Sequence, residues 1–231
     1  MTKDIKFIAH RGYHEKYIEN TYDAFIEAGK RKSYGIETDI YLTKDDVIIC
    51  NHNNKIEGMD KNIIDCNYDE IKNVTLQKGK INSKVCLFAD YLDICKKYNK
   101  TPIIEFKMTP PLDKIHMIFN LINKYYGDIN NIEFISFGRE ICNTLNNIKN
   151  IYNYTYKIAR LVSEEKYINE VIEDNMDISI YHELLNKELV NKLKNNNIHI
   201  KVWTINDKKS LSKIINLDIR TITSDIFDEI N

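Results

Sequence analysis

Ile5-Lys6-Phe7-Ile8-Ala9-His10-Arg11-Gly12 opens on a short apolar run and breaks off in two ionisable side chains and a glycine. The run reads as a buried strand, and the three residues after it bear on the architecture. A doubly wound sheet that binds a dinucleotide carries a GxGxxG turn after its first strand; His10-Arg11-Gly12 is not that turn. Outward from here the chain alternates strand and helix. Strands are expected at Ile5–Ala9, Gly35–Ile40, Pro102–Phe106, Ile132–Phe137, Tyr154–Leu161, Ile178–Tyr181, Ile198–Trp203 and Arg220–Thr223. Helical periodicity lies between them at Asn20–Lys32 (with Asn20 as cap), Phe88–Lys97, Leu112–Tyr126, Arg139–Ile148, Glu165–Ile172, Asn186–Lys194 and Lys208–Ile215. Such repeats imply parallel pairing and right-handed crossovers, and eight strands close naturally into an α/β (β/α)8 TIM barrel. The open doubly wound sheet is the competing architecture.

An extra short strand, Val47–Cys50, follows the second barrel strand. Residues 53–83 then lose any clear period, with a helical hint at Tyr68–Val74. The 231 residues and 43% apolar content suit one substantial core, so a single domain spanning 1–231 is expected. Formal net charge is −1, which gives no electrostatic case for nucleic acid or an anionic membrane as partner. Five cysteines without a CxxC pair read as free thiols in a reducing compartment. No transmembrane run or signal peptide is recognised, so the expected location is cytoplasmic.

The residues able to do chemistry fall at the carboxyl ends of the expected strands. His10 and Arg11 follow the first, Glu37 and Asp39 end the second, and His52 follows the extra strand. Glu105 and Lys107 end the third barrel strand, Ser136 the fourth and Trp203 the seventh, while Asp225 follows the eighth. In a barrel these ends share one mouth. Glu37 and Asp39 are two apart and so point to one face of a strand. Two crowded carboxylates repel and lose hydration, and a divalent cation relieves both penalties. With Glu105 as third ligand, the all-oxygen set favours Mg2+ or Ca2+ over Zn2+; an exposed acidic pair is the plainer alternative. Arg11 offers a two-pronged donor array to a phosphate, and Lys107 could reach a phosphate oxygen or pair with Glu105. Gly12 is expected to permit a tight turn beside His10. His10 and His52 are the candidates for proton transfer. Of the remaining histidines, His182 is placed near the rim and His14 in the loop after the first strand, both with weak claims, His116 on a solvated helix face and His199 in a structural position.

Taken together these residues resemble the glycerophosphodiester phosphodiesterase family over nearly the whole chain. The blocks are His10-Arg11-Gly12, Glu19-Asn20-Thr21, Gly35-Ile36-Glu37-Thr38-Asp39, Leu42-Thr43-Lys44-Asp45 to His52, and Ile104-Glu105-Phe106-Lys107. Ser136-Phe137, Val202-Trp203-Thr204-Ile205-Asn206-Asp207 and Ile222-Thr223-Ser224-Asp225 come after them in order. The resemblance implies a barrel with a small insertion at its mouth after the second strand, matching residues 53–83. It implies His10 and His52 as catalytic acid–base pair, and Glu37, Asp39 and Glu105 as ligands of one divalent cation. Arg11 and Lys107 become phosphate-binding residues, Trp203 a wall against glycerol, and Glu19, Asn20 and Thr21 a support and helix start. The expected reaction is hydrolysis of a small glycerophosphodiester to glycerol 3-phosphate and an alcohol, with His10 as base and His52 as acid. Lyase-type cleavage of a lysophospholipid to a cyclic phosphate, and a non-catalytic phosphodiester-binding barrel, are the rival readings. Three departures stand out: Asn53 where the family has Asp, Ile18 where it has Pro, and Leu217-Asp218-Ile219-Arg220 in place of a glycine-bearing segment.

Overall fold

A computed structural model describes residues 4–230. In chain order the strands are β1 (Lys6–Ala9), β2 (Gly35–Leu42), β3 (Ile48–Cys50), β4 (Thr75–Lys78), β5 (Ile81–Lys84) and β6 (Cys86–Leu87). Then come β7 (Thr101–Phe106), β8 (Glu133–Ser136), β9 (Lys157–Val162), β10 (Asp177–Tyr181), β11 (Ile200–Trp203) and β12 (Thr221–Ser224). The parallel strands run β1-β2-β7-β8-β9-β10-β11-β12, and β12 pairs back onto β1, closing an eight-stranded barrel. Helices α1 (Tyr22–Gly29), α2 (Tyr68–Ile71), α3 (Phe88–Lys97), α4 (Leu112–Leu121), α5 (Arg139–Tyr152), α6 (Ile168–Glu173), α7 (Lys187–Asn195) and α8 (Lys208–Asn216) complete the elements. One of these helices joins each pair of successive barrel strands, except that both α2 and α3 lie between β2 and β7. No described helix follows β12.

Each barrel strand presents alternate side chains to two environments. The outward set, including Ile36, Ile104, Phe106, Phe134 and Val202, joins the helices in the main apolar core. Helix α5 supplies Ile141, Cys142, Leu145 and Ile148, spaced to lie on one face. The inward set divides by height. Its middle is the separate apolar cluster Ile8, Ile103, Ile135, Ala159 and Leu161. Gly35 belongs to this layer: a Cβ there would stand 2.2 Å from Ile103 Cδ1 and 2.4 Å from the Thr101 carbonyl oxygen. Below lies a charged floor centred on buried Glu133, which accepts from Tyr34 Oη at 3.0 Å and from Lys157 Nζ at 3.2 Å and pairs with Lys201. Burial opposes its charge, but Lys201, Lys157 and Tyr34 outweigh it and hold the carboxyl below its ordinary value.

The segment between β3 and α3 builds outside the barrel. β3 continues antiparallel from β2 and pairs with β6, while β4 and β5 form a separate hairpin. Ile56, Ile63, Cys66, Ile71 and Leu76 from this segment pack with Tyr41 and Ile49 in a second apolar cluster. That is why a segment without overall periodicity is nevertheless ordered: its few apolar side chains converge on the extended end of β2. All five cysteines are buried and unpaired. No described helix is long and apolar enough to cross a membrane.

Candidate active site

The mouth is reached along the same inward rows, one pleat above the apolar layer. A cavity of about 200 Å³ is lined there by His10, Arg11, Glu37, His52, Glu105 and Lys107 on one side. Ile135, Phe137, Leu161 and Trp203 line the other side. β2 and β7 pair with Asp39 opposite Glu105, so the backbone register brings their acidic groups together. Glu37, Asp39 and Glu105 are all buried, and one oxygen from each lies within 4.8 Å of the others.

Burial, followed by repulsion from Asp39 and Glu105, raises the Glu37 carboxyl well above its ordinary value. Burial and the Asp39 charge push Glu105 up to about 7. Asp39 goes the other way: burial works against its charge, but Lys107, Arg11 and the Asn20 amide together favour the carboxylate. Lys107 Nζ lies 2.8 Å from Glu105 and 3.2 Å from Asp39. Arg11 donates its backbone N–H to Glu37 at 2.8 Å and grips both Glu19 oxygens through Nη1 at 3.1 and 2.9 Å. The two cations therefore leave the acidic cluster under-neutralised. Asp39 Oδ1 is buried and makes no well-aligned hydrogen bond; its nearest positive group is Lys107 Nζ at 3.2 Å. A third, divalent positive charge fits this donor set: three buried carboxylates, two of them reluctant to ionise.

The backbone after β1 is shaped for this arrangement. Arg11 and Gly12 both take positive φ, at 51° and 82°, and a Cβ on Gly12 would meet the Ala24 backbone at 2.8 Å. Asn20, expected to cap the first helix, does something else. Its backbone has φ 55°, Thr21 occupies the capping position, and the Asn20 amide donates to Asp39 Oδ2 at 2.8 Å. Its Oδ1 accepts from Thr38 Oγ1 at 2.8 Å, so it holds Asp39 rather than a helix end.

The two histidines lie in different surroundings. His10 Nδ1 is 2.6 Å from Asp225 Oδ1, whose partner oxygen accepts from Asn206 Nδ2 at 2.5 Å. Burial disfavours the Asp225 charge, but the bonds to His10 and His14 prevail and keep it ionised far below its usual range. His52 Nδ1 is 3.1 Å from Asn53 Oδ1. Burial lowers the His52 pKa against the pull of Asp39. Trp203 stands over the opposite wall, its indole N–H bonded to the Ser179 carbonyl at 2.9 Å and its ring 5.8 Å from that of Phe137.

A model of the glycerophosphoryl diester phosphodiesterase family matches residues 10–229. The chain belongs to this family. It is therefore a phosphodiesterase, an enzyme of that class. A glycerophosphodiester phosphodiesterase from Parabacteroides distasonis superposes with a TM-score of 0.81 at 24% identity, covering 99% of this chain and 96% of its own. One from Thermotoga maritima gives a TM-score of 0.76 at 23% identity, with 99% and 97% covered. A phosphodiesterase from Oleispira antarctica, solved with the product sn-glycerol-3-phosphate, gives 0.82 at 17% identity, with 97% and 94% covered. The chain is also 26% identical to the uncharacterized protein YqiK of Bacillus subtilis, over 91% of this chain and 90% of that one.

In this phosphodiesterase, His10, Arg11, Glu37, His52, Glu105, Lys107 and Trp203 all border the one cavity, and Asp39 sits directly beneath it against Lys107. Ser136, also at a strand end, lies apart: it donates to the Phe106 carbonyl at 2.7 Å and accepts from Gly138 N–H at 3.0 Å, a turn contact. Two features escaped the sequence. His14, given a weak claim in the first loop, brings Nε2 within 2.8 Å of Asp225 Oδ1. Ile135 and Leu161 form an apolar wall that strand periodicity alone does not distinguish from core.

Proposed function

We propose that this phosphodiesterase hydrolyses a glycerophosphodiester to sn-glycerol 3-phosphate and a free alcohol, using one divalent cation and two histidines. The observation that carries this reading is the convergence of three buried, under-neutralised carboxylates with two imidazoles and two basic side chains on one cavity. Glu37, Asp39 and Glu105 would hold the cation, either Mg2+ or Ca2+. Bound there, it would supply Lewis-acid polarisation to a phosphoryl oxygen. Arg11 and Lys107 would stabilise the negative charge that grows on the phosphoryl group. Trp203 and Phe137 would shield the carbon skeleton of the glycerol from water.

The surroundings of the histidines favour a division of labour opposite to the one expected from sequence. His52 is held toward its neutral form, and an Nδ1–H donated to Asn53 leaves Nε2 free to accept a proton. That suits the base. His10 turns Nδ1 to the Asp225 carboxylate, a contact that fixes the ring with Nε2 toward the cavity, and that orientation suits the acid. A glycerol hydroxyl could surrender its proton to His52 while His10 protonates the departing alkoxide; water would then open the cyclic phosphate. The apolar wall of Ile135, Phe137 and Leu161 gives the lysophospholipid reading its one supporting observation, since it would accept an apolar leaving group. The buried free thiols suit a cytoplasmic location.

The test is turnover of glycerophosphocholine, glycerophosphoethanolamine and a lysophospholipid in Mg2+, Ca2+ or chelator, monitored by phosphorus NMR. Metal-dependent release of glycerol 3-phosphate is expected. A cyclic phosphate as sole end product favours the lyase, and no turnover of any substrate favours a binding-only barrel.

A further inference from the structure

We infer that His10, His14 and Asp225 form a second cation site at the mouth, one suited to a borderline transition ion such as Zn2+, whose occupancy arrests the enzyme. His10 Nδ1 and His14 Nε2 approach the same oxygen, Asp225 Oδ1, at 2.6 and 2.8 Å. Their ligand atoms all lie within 4.8 Å of one another. Orienting His10 needs only the carboxylate; the second imidazole has no place in the proposed reaction. Two imidazole nitrogens and one carboxylate oxygen are a donor set for Zn2+, Co2+ or Ni2+, whereas the neighbouring trio of carboxylates suits a hard ion. The mouth thus presents two classes of cation with two different clusters.

The second cluster is held in place from outside. Asn206 Nδ2 grips Asp225 Oδ2 at 2.5 Å, and the Asp225 N–H donates to Asn206 Oδ1 at 2.9 Å, a pair of contacts that aims the remaining oxygen. The loop that carries His14 is latched by Lys78 at the tip of the β4–β5 hairpin. Its ammonium donates to the carbonyls of His14, Glu15 and Tyr17 at 2.5, 3.2 and 3.0 Å. Both imidazoles retain 20–21% exposure, so an ion can enter from solvent. Bonds of roughly 2.0–2.1 Å to a tetrahedral zinc would hold nitrogen and oxygen about 3.3 Å apart. From their present contacts of 2.6 and 2.8 Å the rings need to withdraw by roughly half an ångström.

With an ion in place, His10 Nδ1 bonds to it instead of donating to Asp225, and the ring is no longer available for proton transfer. The ion binding stands independently of the proposed reaction; only the inhibition rests on it. The experiment is calorimetric titration of ZnCl2 into the full chain saturated with Mg2+, for the parent and for His14→Gln. The parent should bind one Zn2+, and the variant should bind it at least roughly 100-fold more weakly. Mg2+ affinity and the melting temperature should be the same in both, which shows that the variant is folded. Under the same conditions Zn2+ should inhibit the parent and spare the variant. Equal Zn2+ binding to both proteins would put the ion on the carboxylate trio and overturn the proposal. So would the absence of zinc binding to the Mg2+-saturated parent.

Discussion

The floor and the mouth of this barrel both bury charge, and they handle it in opposite ways. At the floor one carboxylate, Glu133, meets Lys201, Lys157 and the Tyr34 hydroxyl, and its ionised form is favoured. At the mouth three carboxylates meet Arg11 and Lys107, and two of the three resist ionisation. The floor is complete as folded. The mouth holds more acid than its two basic side chains offset. Burial alone does not separate a structural ion pair from a functional one; the balance of charge within the cluster does.

Substitutions should separate the two ends. The largest effect is expected for His10→Ala and His52→Ala, each lowering kcat/KM by roughly 10²- to 10⁴-fold. Thermal melts should show little change, because each ring is part exposed. Retained turnover in either variant removes that histidine from the chemistry. Glu133→Ala reverses the pattern. It strands Lys201 in the barrel interior and should cost about 3–5 kcal/mol, read as a fall in Tm of roughly 10 °C. The kcat of the folded fraction should equal that of the parent; a selective loss of kcat would tie the floor to catalysis.

Glu105→Gln should weaken Mg2+ or Ca2+ binding in calorimetry while raising the Tm of the chelated protein at pH 8, because it relieves burial and repulsion from Asp39 that Lys107 does not fully offset. A lower Tm would mean that the cluster is already balanced. The titration of Glu105 carries its own sign. Its folded pKa of about 7 lies above the ordinary 4.5, so between those values the folded chain holds a proton that the unfolded chain has lost. Ion-free stability should therefore fall as pH rises through this window. Cation binding should release protons near pH 6–7, measured as heats that vary with the ionisation enthalpy of the buffer. The smallest effect is expected from Asn53→Asp. A carboxylate in place of the amide should favour charged His52 and move the acid limb of the kcat/KM profile upward by about one pH unit or less.

Much of this was legible in the sequence because strands write their inward face at every second position. Glu37 with Asp39, and Glu105 with Lys107, declare a shared face by spacing alone, and the eight apolar runs declare the barrel. Asn20 misled because an asparagine before a helical pattern is ordinarily a cap; here a left-handed backbone turns its amide to Asp39. His14 stayed hidden because its partner is 211 residues away and no periodicity links a loop to the end of the last strand. Glu133 looked like any polar residue at a strand start, since its meaning depends on Lys201, three strands across the closed barrel. Residues 53–83 were opaque for a different reason: apart from the β4–β5 hairpin, their apolar side chains pack onto β2 and β3.

The junction between β1 and β2 is paired only at Ile8–Gly35 and Ala9–Ile36, whereas β2 and β7 are in register from Gly35–Thr101 to Ile40–Phe106. Above that short seam the two strands are joined by the Arg11 amide resting on the Glu37 carboxylate. A cavity-lining carboxylate thus doubles as a fastener of the cylinder wall. Remodelling this barrel at Glu37 would loosen one of its two shortest joins, so the cavity is more freely reshaped from the far wall, where the Ile135, Phe137 and Leu161 side chains border it without holding any strands shut.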